Sequence, residues 1–451
     1  MTHSGHIIMK ILAVTANYKT KNIGYLEQVI AEVKTWKHEV DIVISTDIPT
    51  GVQGVQEVLV TCPPREILSK TWDTILENKG KYDLYVYFEN DHLITSNNLE
   101  NWIKCRETVR LPYIVGFLEY ETSPSGNWYQ AQHVNYDFDE KSLVKIGDYS
   151  MCSHTNLHQG CFILDNELLD YVISHPHPNR WTGENHATFD GPNIEQHYGP
   201  LERVNTDIFR TPGLIRVIPI SHLNNFLVHH LPNIHVGTWL SSSHEIIDKR
   251  IADLLLLLET GPKVSFVLPT MGARPDGLKR CLDSINNLKY PKNKIEIIVK
   301  YDDINNIIGV PKLVKQGVEE STGEWVVFIA DDTELTPQSL LEALKIGKDG
   351  FVSFNTGELL PDGGNRCEHF MIRKDVIVKI GDIFDTDFHH VGCDNLLAAK
   401  MDKLGVFVRT EKAVVKHHHF STGGKMDKTY EVAWSHVEED RELLKKKLSE
   451  L

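Results

Sequence analysis

Two rhythms of hydrophobic and polar positions alternate along this chain: short apolar runs, and stretches with apolar residues every three or four positions. Lys10–Val14 is the first run and suits a buried strand, Leu26, Val29, Ile30 and Val33 follow at helical spacing, and Val40–Ser45 is a second run. Strand, helix, strand in this order predicts a right-handed parallel unit with both strand ends opening on one side. The polar residues Thr15–Tyr18 and Ser45–Asp47 would line that opening. Next comes the apolar run in Tyr82–Phe88, the polar tip Glu89-Asn90-Asp91, and a helix capped by Thr95. His158–Leu164 reads as another strand, followed by a helix through Leu168, Leu169 and Val172. Phe226–Val228 is a strand-like run that leads into His229-His230. Ile246–Leu258 reads as a buried helix, and Glu259-Thr260-Gly261-Pro262 breaks it.

A fresh cycle starts there. Val264–Leu268 is a strand ending at Pro269-Thr270, and Leu278, Cys281, Leu282 and Ile285 give a helix face that Tyr290-Pro291 closes. Ile295–Lys300 is the next strand and ends in Tyr301-Asp302-Asp303. Glu324–Ile329, almost wholly apolar, reads as a buried parallel strand that stops at Asp331-Asp332-Thr333. Thr336-Pro337 then supply a cap and first-turn proline for a helix through Leu340, Leu341 and Leu344. Laid on itself with an offset of 241 residues, the chain puts Asp91 on Asp332, Thr95 on Thr336 and Leu99 on Leu340, with Glu89 on Ala330 and Asn90 on Asp331. A repeat that carries an acidic strand tip twice is a stronger sign of a site than either tip alone.

A length of 451 residues exceeds one ordinary core and predicts two or three domains. We place the boundary near 260, giving domains 9–260 and 261–451; residues 1–8 lack the pattern, and Met9 fits a start behind a short extension. The balance of 47 basic and 62 acidic residues, net -15, with no long basic run, argues against nucleic-acid or anionic-membrane partners. An anionic substrate would then need a metal or local cations. The 7 cysteines lack paired spacing and read as reduced thiols of a cytoplasmic protein. The start MTHSGHIIMK has no apolar core for a signal peptide, and Ile251–Leu258 is too short to span a membrane. Acids at strand carboxyl ends suit Mg²⁺ or Mn²⁺ bridging to a diphosphate. His230, after a strand-like run, is a candidate imidazole ligand.

The succession VSFVLPT, LKRCLDSI, YP, IEIIV, an acidic pair, GEWVVFIADDT and TPQSLLEAL resembles the family-2 glycosyltransferases of the GT-A fold, closely over 264–345 and more loosely to about 420. The resemblance implies two tandem Rossmann-like α/β domains, each a mostly parallel central sheet flanked by helices, the first a divergent copy. It implies that Pro269, Thr270 and Asp302 meet the nucleotide, and that Asp331 and Asp332 form the metal-binding acid motif, with Asp331 on the donor and Asp332 on the ion. Ala330 stands where family members often carry an acid. His417 or His419, beyond the last strand, would complete the metal or diphosphate contacts, and Asp394, opening a helix after Gly392, would be the general base of an inverting transfer. In the first half the same reasoning puts Thr15, Asn17 and Asp47 near the nucleotide, Glu89, Asp91 and His230 on the metal, and Glu195 as base. The implied partners are a UDP- or GDP-sugar donor and a glycan or glycoconjugate acceptor; the cofactor is Mn²⁺ or Mg²⁺. Three other readings stand beside this one: a single active domain with an acceptor-binding scaffold, a carbohydrate- or nucleotide-binding protein without catalysis, and a nucleotidyltransferase. The last would want a Gly-rich basic loop after strand one, which Met271-Gly272-Ala273-Arg274 only faintly resembles.

Overall fold

The structure is a computed structural model and describes residues 8–63, 66–130, 137–176, 206–238, 241–303, 306–357, 367–419 and 426–451. The chain divides into two compact units, Met1–Leu258 and Glu259–Leu451.

Unit 1 is built on a five-stranded sheet. Its elements are β1 (Lys10–Asn17), α1 (Ile23–Val33), β2 (Glu39–Thr46), β3 (Gln56–Leu59), α2 (Ile67–Glu77), β4 (Leu84–Phe88), β5 (His92–Leu93) and α3 (Ser96–Thr108). The chain continues through β6 (Tyr113–Val115), β7 (Leu118–Ser123), β8 (Gly126–Gln130), β9 (Phe138–Ile146), β10 (Tyr149–His154), β11 (Cys161–Asp165) and α4 (Asn166–Ser174). It closes with β12 (Ile215–Pro219), β13 (Leu227–His230), β14 (Ser241–Ser243) and α5 (His244–Thr260). The main sheet has the order β11-β4-β1-β2-β3, all parallel except β11. β4 is buried along its whole length, as the unbroken apolar run requires. Two further sheets, β6-β12-β10-β9 and β14-β8-β7-β13-β5, hold the strand-like run before His229-His230 as β13, and their other strands come from apolar runs too short and too mixed to announce them.

Unit 2 contains β15 (Val264–Thr270), α6 (Pro275–Asn286), β16 (Ile295–Tyr301), α7 (Val310–Glu320), β17 (Trp325–Phe328), β18 (Thr333–Leu335) and α8 (Ser339–Ile346). Then come β19 (Phe351–Asn355), β20 (Phe370–Arg373), α9 (Lys374–Ile380), α10 (Cys393–Lys403), β21 (Arg409–His417), α11 (Lys428–Ser435) and α12 (Val437–Glu450). One sheet holds all seven strands in the order β16-β15-β17-β20-β19-β21-β18, with β20 and β18 antiparallel to their neighbours. Each unit is thus a Rossmann-like α/β layer with a mostly parallel sheet between helices.

The repeat read from the sequence extends to register. Leu84 and Trp325 are related by the 241-residue offset; Leu84 pairs with Ile11 on one side and Asp165 on the other, and Trp325 with Val264 and Arg373. The first strands therefore end at equivalent residues, Asn17 and Thr270, which pair with Thr46 and Tyr301. Asp47 and Asp302 come next in each chain segment. β5 and β18 also match, and their partners place His230 opposite His92 and His417 opposite Thr333. One local detail differs. Thr95 is the cap expected, exchanging side-chain and backbone bonds with Asn98, whereas the helix after Thr336 starts at Ser339 with Gln338 as cap. Ser339 Oγ, three residues further on, accepts the Thr336 amide at 3.0 Å, and the Thr336 hydroxyl meets Ser339 Oγ at 2.7 Å rather than a first-turn amide.

Candidate functional site

In both units the buried strand that carries the tip stops at polar residues packed against the end of the first strand. In unit 1, Asn90 Nδ2 donates to Asn17 Oδ1 at 2.9 Å; in unit 2, Thr270 Oγ1 donates to Asp331 Oδ2 at 2.5 Å. Asn17 and Thr270 are register equivalents, as are Asn90 and Asp331, so the same contact is made twice with different chemistry. The last tip acid meets a histidine from the paired strand in each case. His230 Nε2 lies 3.9 Å from Asp91 Oδ2, and His417 Nε2 lies 3.5 Å from Asp332 Oδ1.

The surroundings of the two acids diverge. Asp91 sits among imidazoles: His92 Nδ1 is 2.9 Å from its Oδ1, and His92 Nε2 is 2.8 Å from Glu119 Oε1. His230 Nδ1 is 2.6 Å from Glu121 Oε1, while Glu121 Oε2 accepts the His235 amide at 2.7 Å. His158 Nε2 lies 3.6 Å from Glu119, and Glu89 Oε2 lies 3.8 Å from His92 Nδ1. Burial opposes protonation of His92, but Glu119 and Asp91 outweigh it and hold the imidazolium well above the ordinary histidine range. Burial also works against ionised Glu119, yet His158 and His92 pull its carboxyl down to about 2. Burial raises Glu89. His230 is lowered, by burial and then by the charge of His92. Gly160 closes the cluster from below: with φ +60, a Cβ there would stand 2.2 Å from the His92 ring, so only glycine lets the chain pass. Asn22 Nδ2 reaches Asn90 at 3.2 Å and Asp91 at 3.4 Å.

In unit 2 a guanidinium occupies the space around the acid pair. Arg274 Nη1 donates to Asp331 Oδ1 at 3.0 Å and to Asp332 Oδ2 at 2.8 Å, and its other edge makes a two-bond fork with Asp427 at 2.6 and 3.1 Å. The Tyr430 hydroxyl donates to Asp332 Oδ2, and its ring lies under the guanidinium, 4.1 Å from centroid to carbon. Asp331 and Asp332 are 3% and 5% exposed, so a ligand reaches them only by moving Arg274 or Tyr430. Burial pushes the Asp331 carboxyl up, whereas Asp332 stays well below the carboxylate range because His417, Arg274 and Tyr430 overcome burial. His417, between Asp332 and Glu368, is raised to about 9 against the opposing effect of burial. Gly277, in the first turn of α6, touches the same backbone: a Cβ there would be 2.9 Å from the Asp331 carbonyl.

The expected residues thus fall into two groups around these tips. Thr270, Asp331, Asp332 and His417 come together, and the Asp302 amide donates to the Thr270 carbonyl at 2.8 Å. Asp302 uses its carboxylate to accept the Ile308 and Gly309 amides, so it shapes its own loop. Pro269 lies one residue earlier on the buried β15. His419 stacks edge-on against Tyr430 at 4.7 Å, at the rim of the pair. Asp394 stands in the first turn of α10, its carbonyl accepting from Cys367 Sγ. In unit 1, Asn17, Glu89, Asp91 and His230 come together; Thr15 is buried within β1, and Asp47 accepts the Lys19 amide at 2.8 Å. Glu195 lies outside the described residues. The sequence reading missed His92, Glu119, Glu121, Arg274, Asp427 and Tyr430. Glu119 and Glu121 carried a signal, because acids two apart on a strand share one face.

The donor sets differ in what they can hold. Among the described residues, Asp91, His92 and His230 bring three ligand atoms within 4.8 Å of one another, as do Glu89, His92, His158 and Glu121, His230, His235. No such group forms around Asp332 among the described residues; the one group found in unit 2 is His389, His436 and Glu439. The unit 1 tip therefore fits a divalent ion as it stands, and the unit 2 tip carries an internal cation instead. Among the described residues, no helix is long and apolar enough to cross a membrane.

No protein-family model and no curated protein sequence matches the chain. Among solved structures, it is similar to mannosyltransferase PcManGT from Pyrobaculum calidifontis in complex with GDP-Man and Mn²⁺, at 20% identity and TM-score 0.30, over 35% of this chain and 56% of that one. It is also similar to S. aureus TarS 1-349 at 14% identity and TM-score 0.30, over 34% of this chain and 60% of that one. TarS 1-349 in complex with UDP-GlcNAc matches at 13% identity and TM-score 0.29, over 38% and 64%. In each case the chain spans less than two thirds of the structure it matches.

Proposed function

We propose that this chain is a nucleotide-sugar-dependent glycosyltransferase carrying two donor-type strand-end sites, one in each unit. The observation that supports it is the register equivalence of the tips: in both, the last residue of the first strand bonds the middle tip residue, and a histidine from the paired strand faces the last acid. Side chains at the carboxyl ends of parallel strands are where an open α/β sheet receives a ligand. Asn17, Thr15 and Asp47 in unit 1, and Pro269, Thr270, Asp302 and Asp331 in unit 2, flank the nucleotide in this reading. A divalent ion, Mn²⁺ or Mg²⁺, when bound supplies Lewis-acid stabilisation to the departing nucleoside diphosphate. Asp91 and His230, with Glu89 beside them, would hold it in unit 1; Asp332, His417 and His419 would do so in unit 2 only with Arg274 withdrawn. Asp394 takes the proton of the acceptor hydroxyl, and in-line attack inverts the anomeric centre. The acceptor is a glycan or glycoconjugate, and the 7 unpaired thiols suit the cytoplasm.

A second reading, favoured by the Arg274 and Tyr430 cover on the acid pair, keeps unit 1 catalytic and makes unit 2 an acceptor-binding scaffold. Nucleoside diphosphate release from a panel of UDP- and GDP-sugars with Mn²⁺ separates the two. Loss on Asp91→Asn alone leaves unit 2 as scaffold, and loss of different donors with Asp91→Asn and Asp332→Asn makes the chain bifunctional. No release from any donor, with nucleotide still bound, overturns the enzyme reading.

A further inference from the structure

Four carboxylates, Glu89, Asp91, Glu119 and Glu121, converge on imidazoles within unit 1, and two of those imidazoles share one arrangement. His230 is held at Nδ1 by Glu121 (2.6 Å), leaving Nε2 toward Asp91 (3.9 Å). His92 is held at Nε2 by Glu119 (2.8 Å), leaving Nδ1 toward the same aspartate (2.9 Å). A buried carboxylate that fixes the far nitrogen of an imidazole, so that the near one is presented as a ligand, is the arrangement by which histidine metal sites are oriented. Glu119 and Glu121 are each 1% exposed at the side chain, so neither serves solvent. The site is also polar beyond its own needs. Glu119 Oε2 and His158 Nδ1, on side chains 1% and 5% exposed, have no hydrogen-bond partner among the described residues. Buried polar atoms left in this state ask for a further group. Gly160 fixes the His92 ring by close approach, so the set is preorganised.

We infer that unit 1 holds a first-row transition ion, such as Zn²⁺, Mn²⁺ or Co²⁺, on Asp91, His92 and His230, oriented by Glu119 and Glu121, and that it does so without nucleotide. Oxygen-only sites suit Mg²⁺, whereas imidazole donors select the transition ions. The inference rests on the donor-site reading for its place, since Asp91 and His230 are the residues that reading gives to the ion, and adds that protein groups alone hold it. Glu89 and His158 also bring ligand atoms within 4.8 Å of one another and of His92.

The test uses the full chain, stripped with a chelator, reloaded with Co²⁺ or Zn²⁺ alone and desalted. The expected result is a single retained ion per chain by elemental analysis and the intense visible bands of low-coordinate Co²⁺, undisturbed by a roughly hundredfold excess of Mg²⁺. His230→Ala should abolish retention. Glu121→Gln, which keeps size and can still accept the His235 amide but no longer accepts from His230 Nδ1, should weaken retention by about 10–100-fold and shift the Co²⁺ bands. Glu439→Gln, in the separate His389, His436 and Glu439 group of unit 2, should leave both readouts unchanged. No retained ion in the unaltered chain overturns the inference, as does equal retention by Glu121→Gln or loss on Glu439→Gln. Failure of nucleotide-sugar turnover with the ion retained would count against the donor-site reading only.

Discussion

The two tips are the same piece of architecture solved with different cations. In unit 1 the acid at the strand end is surrounded by His92, His230 and their buried glutamates; in unit 2 the equivalent acid is bound by Arg274, Tyr430 and His417. A strand that ends in buried carboxylates has to neutralise them, and a sheet edge can do this with an exchangeable ion or with a fixed side chain. The exchangeable solution leaves room for a ligand that brings or shares a metal. The fixed solution gives a closed site whose opening requires a salt bridge to part.

The comparison breaks most visibly if the internal cation is removed. Arg274→Ala leaves Asp331, Asp332 and Asp427 facing one another with no guanidinium, and losing one partner of a buried charge cluster costs about 3–5 kcal/mol. Denaturant unfolding followed by hydrogen exchange should show unit 2 destabilised by that amount and unit 1 unchanged. If added Mn²⁺ restores unit 2 stability in this variant, the acid pair is a latent metal site.

Acid titration separates one titratable group of each unit next. His154 in unit 1 is buried against Phe138, and burial, then Arg216, lowers it to about 4. A folded value below the unfolded one means that the unfolded chain takes up the proton first, so stability contributed by neutral His154 is lost as pH falls from about 6.5 to about 4. In unit 2, Glu296 accepts from Ser265 and Thr322; burial opposes these bonds, yet they hold the carboxyl at about 2. Its contribution is full above the ordinary carboxyl range and is lost progressively as pH falls from about 4.5 to about 2. Hydrogen exchange at pH 7, 5 and 3 should therefore find the amides around His154 losing protection before those around Glu296, with His154→Gln delaying that loss.

The helix caps give a finer contrast. Thr95→Ala removes the hydroxyl that accepts the Asn98 amide, one half of a capping box, and should cost about 1 kcal/mol. Thr336→Ala, whose helix starts past it, should cost a few tenths at most. Equal costs in thermal unfolding would mean that the two helix starts are alike after all.

These differences mark the limit of what the sequence shows. The strand ends were legible because long apolar runs such as Leu84–Phe88 and Trp325–Phe328 end abruptly in acids, and the 241-residue offset aligned them before any register was known. The partners were harder to read because they arrive from elsewhere in the chain. Glu119 and Glu121 lie on one face of a six-residue strand, a pattern that ordinarily marks the solvent side; here that face turns inward onto His92 and His230. Arg274 was visible only as the end of a loop. Its partners Asp427 and Tyr430 are 153 and 156 residues downstream, at the start of α11. Long-range electrostatic pairing leaves no periodic trace, so apolar rhythm finds the scaffold and misses the counter-ions.

Anomalous scattering at the manganese edge, from crystals of the full chain soaked in MnCl₂ without nucleotide, tests the contrast most directly. The account predicts a peak among Asp91, His92 and His230, and none at Asp332, where Arg274 remains in place. A peak between Asp332 and His417 with Arg274 turned away, and nothing at Asp91, would contradict it.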